Sequence, residues 1–492
     1  MTEGQLTQRR PAFAPAAVSR ERLLGLARDH VALVVLLTIA AGLRVVALVA
    51  IYPGIWFSDT NSYIVMAETG VPSMVRVGGY ALVVAPFLQV GSAGALIVAQ
   101  HLLGLAIAVL LYALLLRRGV SKTLSIVAVL PAALDPYLID IEHMIMSETV
   151  FHAALVGAFA ALFWSERLAT REAALAGLLL GYASVVRSVA VPFVVLFGIY
   201  LLVRKVGVRR IVAFGAAWAL VVGAYATVYK VHHGDFALTS WSSRFLYAKV
   251  APYTDCSEIP DLPADERAIC PDPEHRLTPN GYLWNEGTPI RQVPVSEDET
   301  IRSFGLRVIA NDPARYVRVV AGDFLHYFEP GHRKGPGDYN VTTWQFPRDP
   351  RVYGYPGYRG PIRPGSAVRE RRIDPGKWVT PEFTGEPRTS VVASRFLHYY
   401  SRYLYTSGQI FTICVALVLI AAVWRPRQNW RPRLDAALVA GCVVCSLALV
   451  SALSIFDYRY ALIAIVLLPP AAALAVTGLR GGRDADSEAV AR

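Results

Sequence analysis

The chain reads as an all-α integral membrane protein, a bundle of about ten transmembrane helices with a long extracytoplasmic insertion of mixed irregular structure. Three observations predict this class. The 492 residues are 54% hydrophobic with a mean hydropathy of +0.41, too apolar for an ordinary soluble domain. Apolar runs recur at lengths that, as helix, span or nearly span a ~30 Å hydrocarbon core. Basic residues gather in the short loops between these runs, so topology accounts for most of the net charge of +11 and nucleic acid is not the expected partner.

The N-terminal tail, residues 1–30, carries Arg9, Arg10, Arg20, Arg22 and Arg28. It has neither the short apolar core nor the small-residue cleavage site of a secretory signal, so the run Val31–Tyr52 is expected to remain as an anchor. Further helices are predicted near Ala93–Leu116, Thr123–Leu138, Thr149–Trp164, Ala173–Val186, Val189–Val203 and Ile211–Tyr229. These complete a membrane module over 31–229, with a first outer loop at 53–92. After an insertion over 230–407, the helices Ile410–Trp424, Leu434–Leu453 and Tyr460–Thr477 occupy 408–478, followed by a tail at 479–492.

One unbroken helix from Ala173 to Val203 would be ~46 Å long, too long for a simple span, so Arg187 is read as a break between two short limbs. Charge then sets the orientation. With the N-terminus inside, about 21 Lys and Arg fall in inner segments, against Arg76, Arg187 and Arg459 in the short outer loops. Both termini are therefore expected on the cytoplasmic side of a plasma membrane.

In the insertion, Asp312-Pro313 has the pattern of an N-cap followed by proline at the first helical position. Tyr316, Val320, Phe324 and Tyr327 then form an apolar stripe that can rest on a membrane surface. Between Pro330 and Pro387, proline and glycine make up about a third of the residues, which rules out long regular elements. The interleaved Tyr339, Trp344, Tyr353, Tyr355, Tyr358 and Trp378 suit either stacking on sugar rings or loop packing. Tyr399, Tyr400, Tyr403 and Tyr405 read as an interfacial belt before the eighth helix. Cys414, Cys442 and Cys445 lie in apolar runs and read as small buried hydrophobes. Cys256 and Cys270 lie close together on the side that should be oxidising, so a disulfide between them is expected.

On this topology Asp59, Asp135, Asp140, Glu142, His143, Glu148, Arg187, Asp457 and Arg459 all face the outer side. Each alone is as easily a solvated loop residue; as a set at membrane level they suggest a site. A carboxylate at the mouth of a cavity can take a proton from an acceptor hydroxyl. Nearby arginines can neutralise a phosphate leaving group. Together these parts suit sugar transfer from a polyprenyl-phosphate donor.

These residues resemble the GT-C superfamily of polyprenyl-phosphate-sugar glycosyltransferases, particularly its protein-mannosyltransferase-like and aminoarabinose-transferase-like branch. Phe57-Ser58-Asp59-Thr60-Asn61-Ser62-Tyr63 is similar to the acidic motif of that family's first outer loop. Gly78-Gly79-Tyr80 resembles the Gly-Tyr-Pro element that follows, with Ala81 in place of the proline. Met146-Ser147-Glu148-Thr149 is similar to the Ser-Glu segment opening the fourth helix. Gly177 to Arg187 resembles a Gly-rich helix closed by Arg-Pro, with Ser188 replacing the proline, and Asp457-Tyr458-Arg459-Tyr460 resembles the Arg-Tyr start of a late helix.

The resemblance implies Asp59 as catalytic base, and Glu148 joins it as a second catalytic candidate. Arg187, Arg459 and His143 are candidates for the donor phosphate, and Glu142, Tyr63 and Tyr80 for substrate contacts. Glu142 and His143 do not form a metal motif; no cofactor is expected to be required, although a divalent cation remains compatible. Arg44, about two turns inside the first helix, can reach either a lipid phosphate or a neighbouring helix.

The expected partners are the lipid-linked donor, a glycan, lipid or protein acceptor, and membrane lipids; the sugar stays open. A transporter or flippase of lipid-linked sugars is the rival, but transporters place polar residues near the midplane within repeated halves, and no repeat is visible. A membrane protein whose outer segment only binds a partner is the third reading; it would tolerate Asp59→Asn.

Overall fold

The computed structural model describes residues 25, 28–330, 344–350, 381–423 and 430–480. The ten expected segments are all helical, and two further helices fall in the first outer loop. In order they are α1 (Val31–Ala50), α2 (Ser58–Thr69), α3 (Ala81–Val90), α4 (Ala93–Arg117), α5 (Lys122–Leu134), α6 (Pro136–Glu142), α7 (Glu148–Phe163), α8 (Thr170–Val186), α9 (Phe193–Val203) and α10 (Val208–His233). The insertion contributes α11 (Ser242–Val250), α12 (Asp298–Asn311) and α13 (Pro313–His326). Then come α14 (Val391–Tyr403), α15 (Gly408–Val423), α16 (Trp430–Leu453) and α17 (Leu462–Arg480).

Five helices among the described residues are long and apolar enough to cross a membrane, or up to seven if each of two bent pairs is one span. The expected third helix is one of these pairs, α5 and α6, bent by 47°. The bend has a local cause. Asp135 caps α6 by accepting from Tyr137 N at 2.9 Å, and Pro136 takes the first helical position. Asp135 also accepts from Thr406 N at 2.8 Å, which pins this bend to the connection between α14 and α15. That second pair is bent by 45°.

Arg187 does break the chain where expected: it is extended, between α8 and a short 3-10 turn at Ser188–Ala190. α8 returns along α10 through Gly177 and Gly181, four residues apart on one face. A Cβ at Gly177 would lie 2.1 Å from the Phe214 carbonyl oxygen, so only glycine permits this approach. α17 is the central helix, buried from Leu462 to Ala475 and enclosed by α5, α15 and α16.

Outside the bundle, α11 and α12 close a small second core around Trp241, Tyr247, Tyr282, Ile301 and Phe304. Cys256 and Cys270 beside it are bonded as a disulfide, with their Cα atoms 6.2 Å apart. Asp312 caps α13 by accepting from Arg315 N at 2.9 Å, as its Asp-Pro start predicts. The apolar stripe of α13 packs partly on the bundle: Tyr316 donates to Ala452 O at 2.9 Å and Tyr327 to Asp457 O at 3.2 Å, which docks the insertion on the C-terminal end of α16. Of the aromatics between Pro330 and Pro387, Tyr339, Tyr353, Tyr355, Tyr358 and Trp378 lie outside the described residues. In the expected tyrosine belt, Tyr399 and Tyr403 are exposed, while Tyr400 and Tyr405 pack inward on α5 and α6.

Candidate active site

Asp59 stands in the first turn of α2, where the helix N-terminus favours a carboxylate. The backbone holds that turn firmly. Phe57 N donates to Thr60 Oγ1 at 3.1 Å, and Thr60 Oγ1 donates in turn to Ile145 O at 3.1 Å. Ile55 N donates to His143 O at 2.9 Å, so the first outer loop is stitched to the segment leading into α7. A Cβ at Gly54 would lie 2.8 Å from that same oxygen, which explains glycine there.

The Gly78-Gly79-Tyr80 element does a comparable job on the other side. Gly79 N donates to Val185 O at 2.7 Å, and a Cβ at Gly79 would lie 2.5 Å from that carbonyl. Gly78 N donates to Tyr225 Oη at 3.0 Å. The loop is thereby clamped to the end of α8, next to Arg187. Ala81 is the first residue of α3, the helix position in which proline is also at home, so the replacement leaves the turn intact.

Five charged side chains meet where these segments converge. Arg459 Nη1 donates to Asp59 Oδ2 at 2.8 Å, and Arg76 donates to Asp59 Oδ1. Arg187 pairs with Glu148 Oε1, from which Arg459 Nη1 is 3.7 Å away. Arg459 Nε lies 2.8 Å from Asp457 Oδ2, adding a sixth group. Three guanidiniums thus face three carboxylates, and all three carboxylates are buried. The Arg459 guanidinium sits 5.6 Å from the Phe57 ring centroid, 5.4 Å from Trp344 and 5.6 Å from Tyr460, an aromatic cage that fixes its plane. Trp344 Nε1 donates to Asp457 Oδ1 at 2.7 Å.

Charge balance sets the protonation states. Burial alone would raise the Asp59 carboxyl, but Arg76 and Arg459 outweigh it and hold it down at about 2. Burial pushes the Asp457 carboxyl up to about 6 against the pull of Arg459. Both oxygens of Asp59 are engaged. Among the described residues Glu148 Oε2, buried, has no hydrogen-bond partner.

The other expected site residues are placed differently. Tyr63, one turn after Asp59, is buried with its hydroxyl donating to Ser147 Oγ at 3.0 Å, and its ring meets Tyr80 edge-on at 4.8 Å. Tyr80 is fully buried and donates to Gln100. Both tyrosines therefore stand behind the charged cluster and brace the loop against the bundle. Glu142 and His143 belong to a second network. Arg44 holds Glu142 with two hydrogen bonds of 2.8 Å, and His101 Nδ1 lies 3.0 Å from the same carboxylate. His143 Nδ1 faces His101 Nε2 at 3.1 Å, and its Nε2 faces Ile51 O at 2.7 Å. A Cβ at Gly104 would lie 1.9 Å from Glu142 Oε1, so that glycine makes the room for this pair. Arg44 thus turns to a neighbouring helix.

Arg76 is the contributor missing from the candidate set; Asp457 and Trp344 stand out in the sequence, but not as partners of Arg459 and of each other. Arg76 did carry a signal, being one of three cations in the short outer loops. Among the described residues no group of three or more His, Cys, Asp or Glu side chains is placed to hold a metal ion. No family model matches the chain, and no curated protein or solved structure matches it.

Proposed function

We propose that the protein is a membrane glycosyltransferase of the GT-C superfamily. It moves a sugar from a polyprenyl-phosphate donor to an acceptor hydroxyl on the extracytoplasmic face of the plasma membrane. One observation carries this reading: Asp59, Arg76, Glu148, Arg187 and Arg459 come from separate stretches of chain to one point at the helix ends. Three guanidiniums gathered at one point are what a phosphate leaving group requires, and the carboxylates beside them supply the base.

The chemistry follows from the pairing. A donor phosphodiester competes with Asp59 and Glu148 for the three guanidiniums. As Arg76 and Arg459 turn to the phosphate, Asp59 loses the partners that hold it at about 2 and becomes a stronger base. The acceptor oxygen then bonds to the anomeric carbon while its proton passes to Asp59. The carbon–oxygen bond to phosphate breaks, its electron pair leaving with the polyprenyl phosphate, which the arginines stabilise. Attack opposite the leaving group inverts the anomeric centre, and no acid is needed because the phosphate leaves as an anion. Glu148, with one oxygen free, is the second carboxylate for the acceptor or sugar. All ten apolar helices cross or enter the bilayer in this reading, with both termini cytoplasmic and no cofactor required.

The deciding experiment supplies purified protein with a panel of polyprenyl-phosphate sugars and measures release of free polyprenyl phosphate. Release by wild type and not by an Asp59→Asn variant that remains folded at the assay temperature establishes reaction class and base together. Donor binding without release from any donor would instead favour transport.

A further inference from the structure

The end of the bundle opposite the Asp59 cluster holds a second charged assembly that the transfer chemistry does not use. α4 ends at Arg117, α9 is capped by Arg204, Trp164 follows α7, and α16 begins at Trp430. The 16 residues of α7 separate this end from Glu148 by about 24 Å. A pocket of about 480 Å³ opens here, lined by Arg117, Arg118, Gly119, Glu166, Trp430 and Arg431.

Its charges are unequal. Arg118 is buried and pairs with Asp435 at 2.7 Å and with Glu166 at 3.0 Å. Arg431 shares Glu166. Arg204 donates to the Glu166 and Leu162 carbonyl oxygens at 3.0 and 3.2 Å, and to Tyr200 Oη at 3.3 Å. Arg117 donates to Trp164 O at 2.9 Å and lies 5.8 Å from the Trp164 ring centroid. Among the described residues, four guanidiniums thus meet two carboxylates, and the Glu166 side chain is 67% exposed and readily displaced. Trp164 and Trp430 are each 42% exposed beside the pocket, the depth at which indoles sit among lipid headgroups.

We propose that this pocket binds the phosphate headgroup of an anionic phospholipid in the leaflet opposite the transfer site. Arg117 and Arg431 take the phosphate oxygens as Glu166 swings to solvent, while Arg118 stays anchored on Asp435. A phosphate diester supplies the negative charge that the assembly lacks, and the flanking tryptophans and apolar helix surfaces favour a lipid over a free ion. The inference is independent of the transfer reaction and fails or stands separately from it.

The test uses full-length protein in nanodiscs of phosphatidylcholine with or without phosphatidylglycerol or cardiolipin, and counts bound lipid by native mass spectrometry. A direct charge-assisted hydrogen bond to phosphate is worth at least about tenfold in affinity, so Arg117→Ala with Arg431→Ala should weaken anionic-lipid binding about 100-fold. A control pair, Lys205→Ala with Arg209→Ala, removes the same charge from exposed positions on this side and should change binding less than about twofold. Equal losses in both pairs would reduce the effect to surface charge and overturn the proposal. Inorganic phosphate that displaces the lipid at equal concentration would overturn the lipid assignment. If the double variant does not fold, Arg117→Glu at its exposed position replaces it; unchanged lipid binding in that variant also overturns the site.

Discussion

Arg459 donates to Asp59 at 2.8 Å across 400 residues of sequence. This bond joins the start of the last helix to the first outer loop, so the proposed base and the proposed phosphate ligand are in contact before any donor arrives. Donor binding must therefore exchange one anion for another at Arg459, and that exchange governs the expected behaviour of the site.

Asp59→Asn should still fold but with lowered stability, because its one amide oxygen can accept from only one of Arg76 and Arg459 while its NH2 group meets the other guanidinium as a second donor. Sugar transfer should fall by about 10²–10⁴, the contribution of a positioned general base. Thermal unfolding alongside donor turnover checks both halves of this expectation; a variant that turns over at the wild-type rate would remove Asp59 from the mechanism.

Donor affinity should depend on pH through Asp457. Its carboxyl is raised to about 6, so it is ionised at pH 8 and neutral at pH 5, whereas Asp59, near 2 while Arg76 and Arg459 hold it, stays ionised over this range in the donor-free protein. Among the described residues, three guanidiniums against three carboxylates balance at high pH and leave one positive charge once Asp457 is protonated. That charge matches a phosphodiester, so binding takes up a proton: affinity rises, by at most about tenfold per unit, as pH falls towards about 6, and levels off below it where Asp457 of the donor-free protein is already neutral. Titration calorimetry at several pH values measures the slope, and Asp457→Asn should flatten it.

The pair of Arg44 and Glu142 is buried on both sides, with side chains 3% and 4% exposed. Glu142→Gln or Arg44→Met alone leaves an unpaired partner and should cost about 3–5 kcal/mol of stability. Arg44→Met together with Glu142→Leu should recover most of the loss. Thermal unfolding of the three proteins in one detergent gives the comparison; a double variant no better than its parents would mean that His101 and the backbone carbonyls, not the ion pair, set the energetics.

Gly79→Ala introduces a methyl group where backbone stands 2.5 Å away, so the loop must leave Val185. Overpacking of this kind costs about 1–3 kcal/mol, and displaces Arg76 and Tyr80 together. Transfer should drop more than stability does. Gly70→Ala, at an open position in the same loop but with positive φ, should cost stability with little effect on donor binding.

Much of the scaffold was legible in the residues. The apolar runs marked the helices, because the energy of burying backbone polar groups in lipid leaves helix as the natural solution for each run. The break at Arg187, the Asp312 cap and the closeness of Cys256 to Cys270 were legible for local reasons too. α2 and α3 were not, since neither is long enough to stand out against a polar loop. The α13 stripe was visible as amphipathic, but periodicity does not say what the apolar face meets; its end tyrosines bond to Ala452 and Asp457.

What the sequence by itself determined was the class of the protein and the kind of residue at each helix end, through local hydropathy, capping and charge. Which of those charges meet was decided only by tertiary structure. Glu142 and Glu148 are six residues apart with similar surroundings in sequence, yet one is locked to Arg44 and His101 and the other faces Arg187 and Arg459. Ion pairing depends on a few ångströms in three dimensions, and the close approaches at the Gly79 turn and at the helix glycines Gly104 and Gly177 set those distances across hundreds of residues.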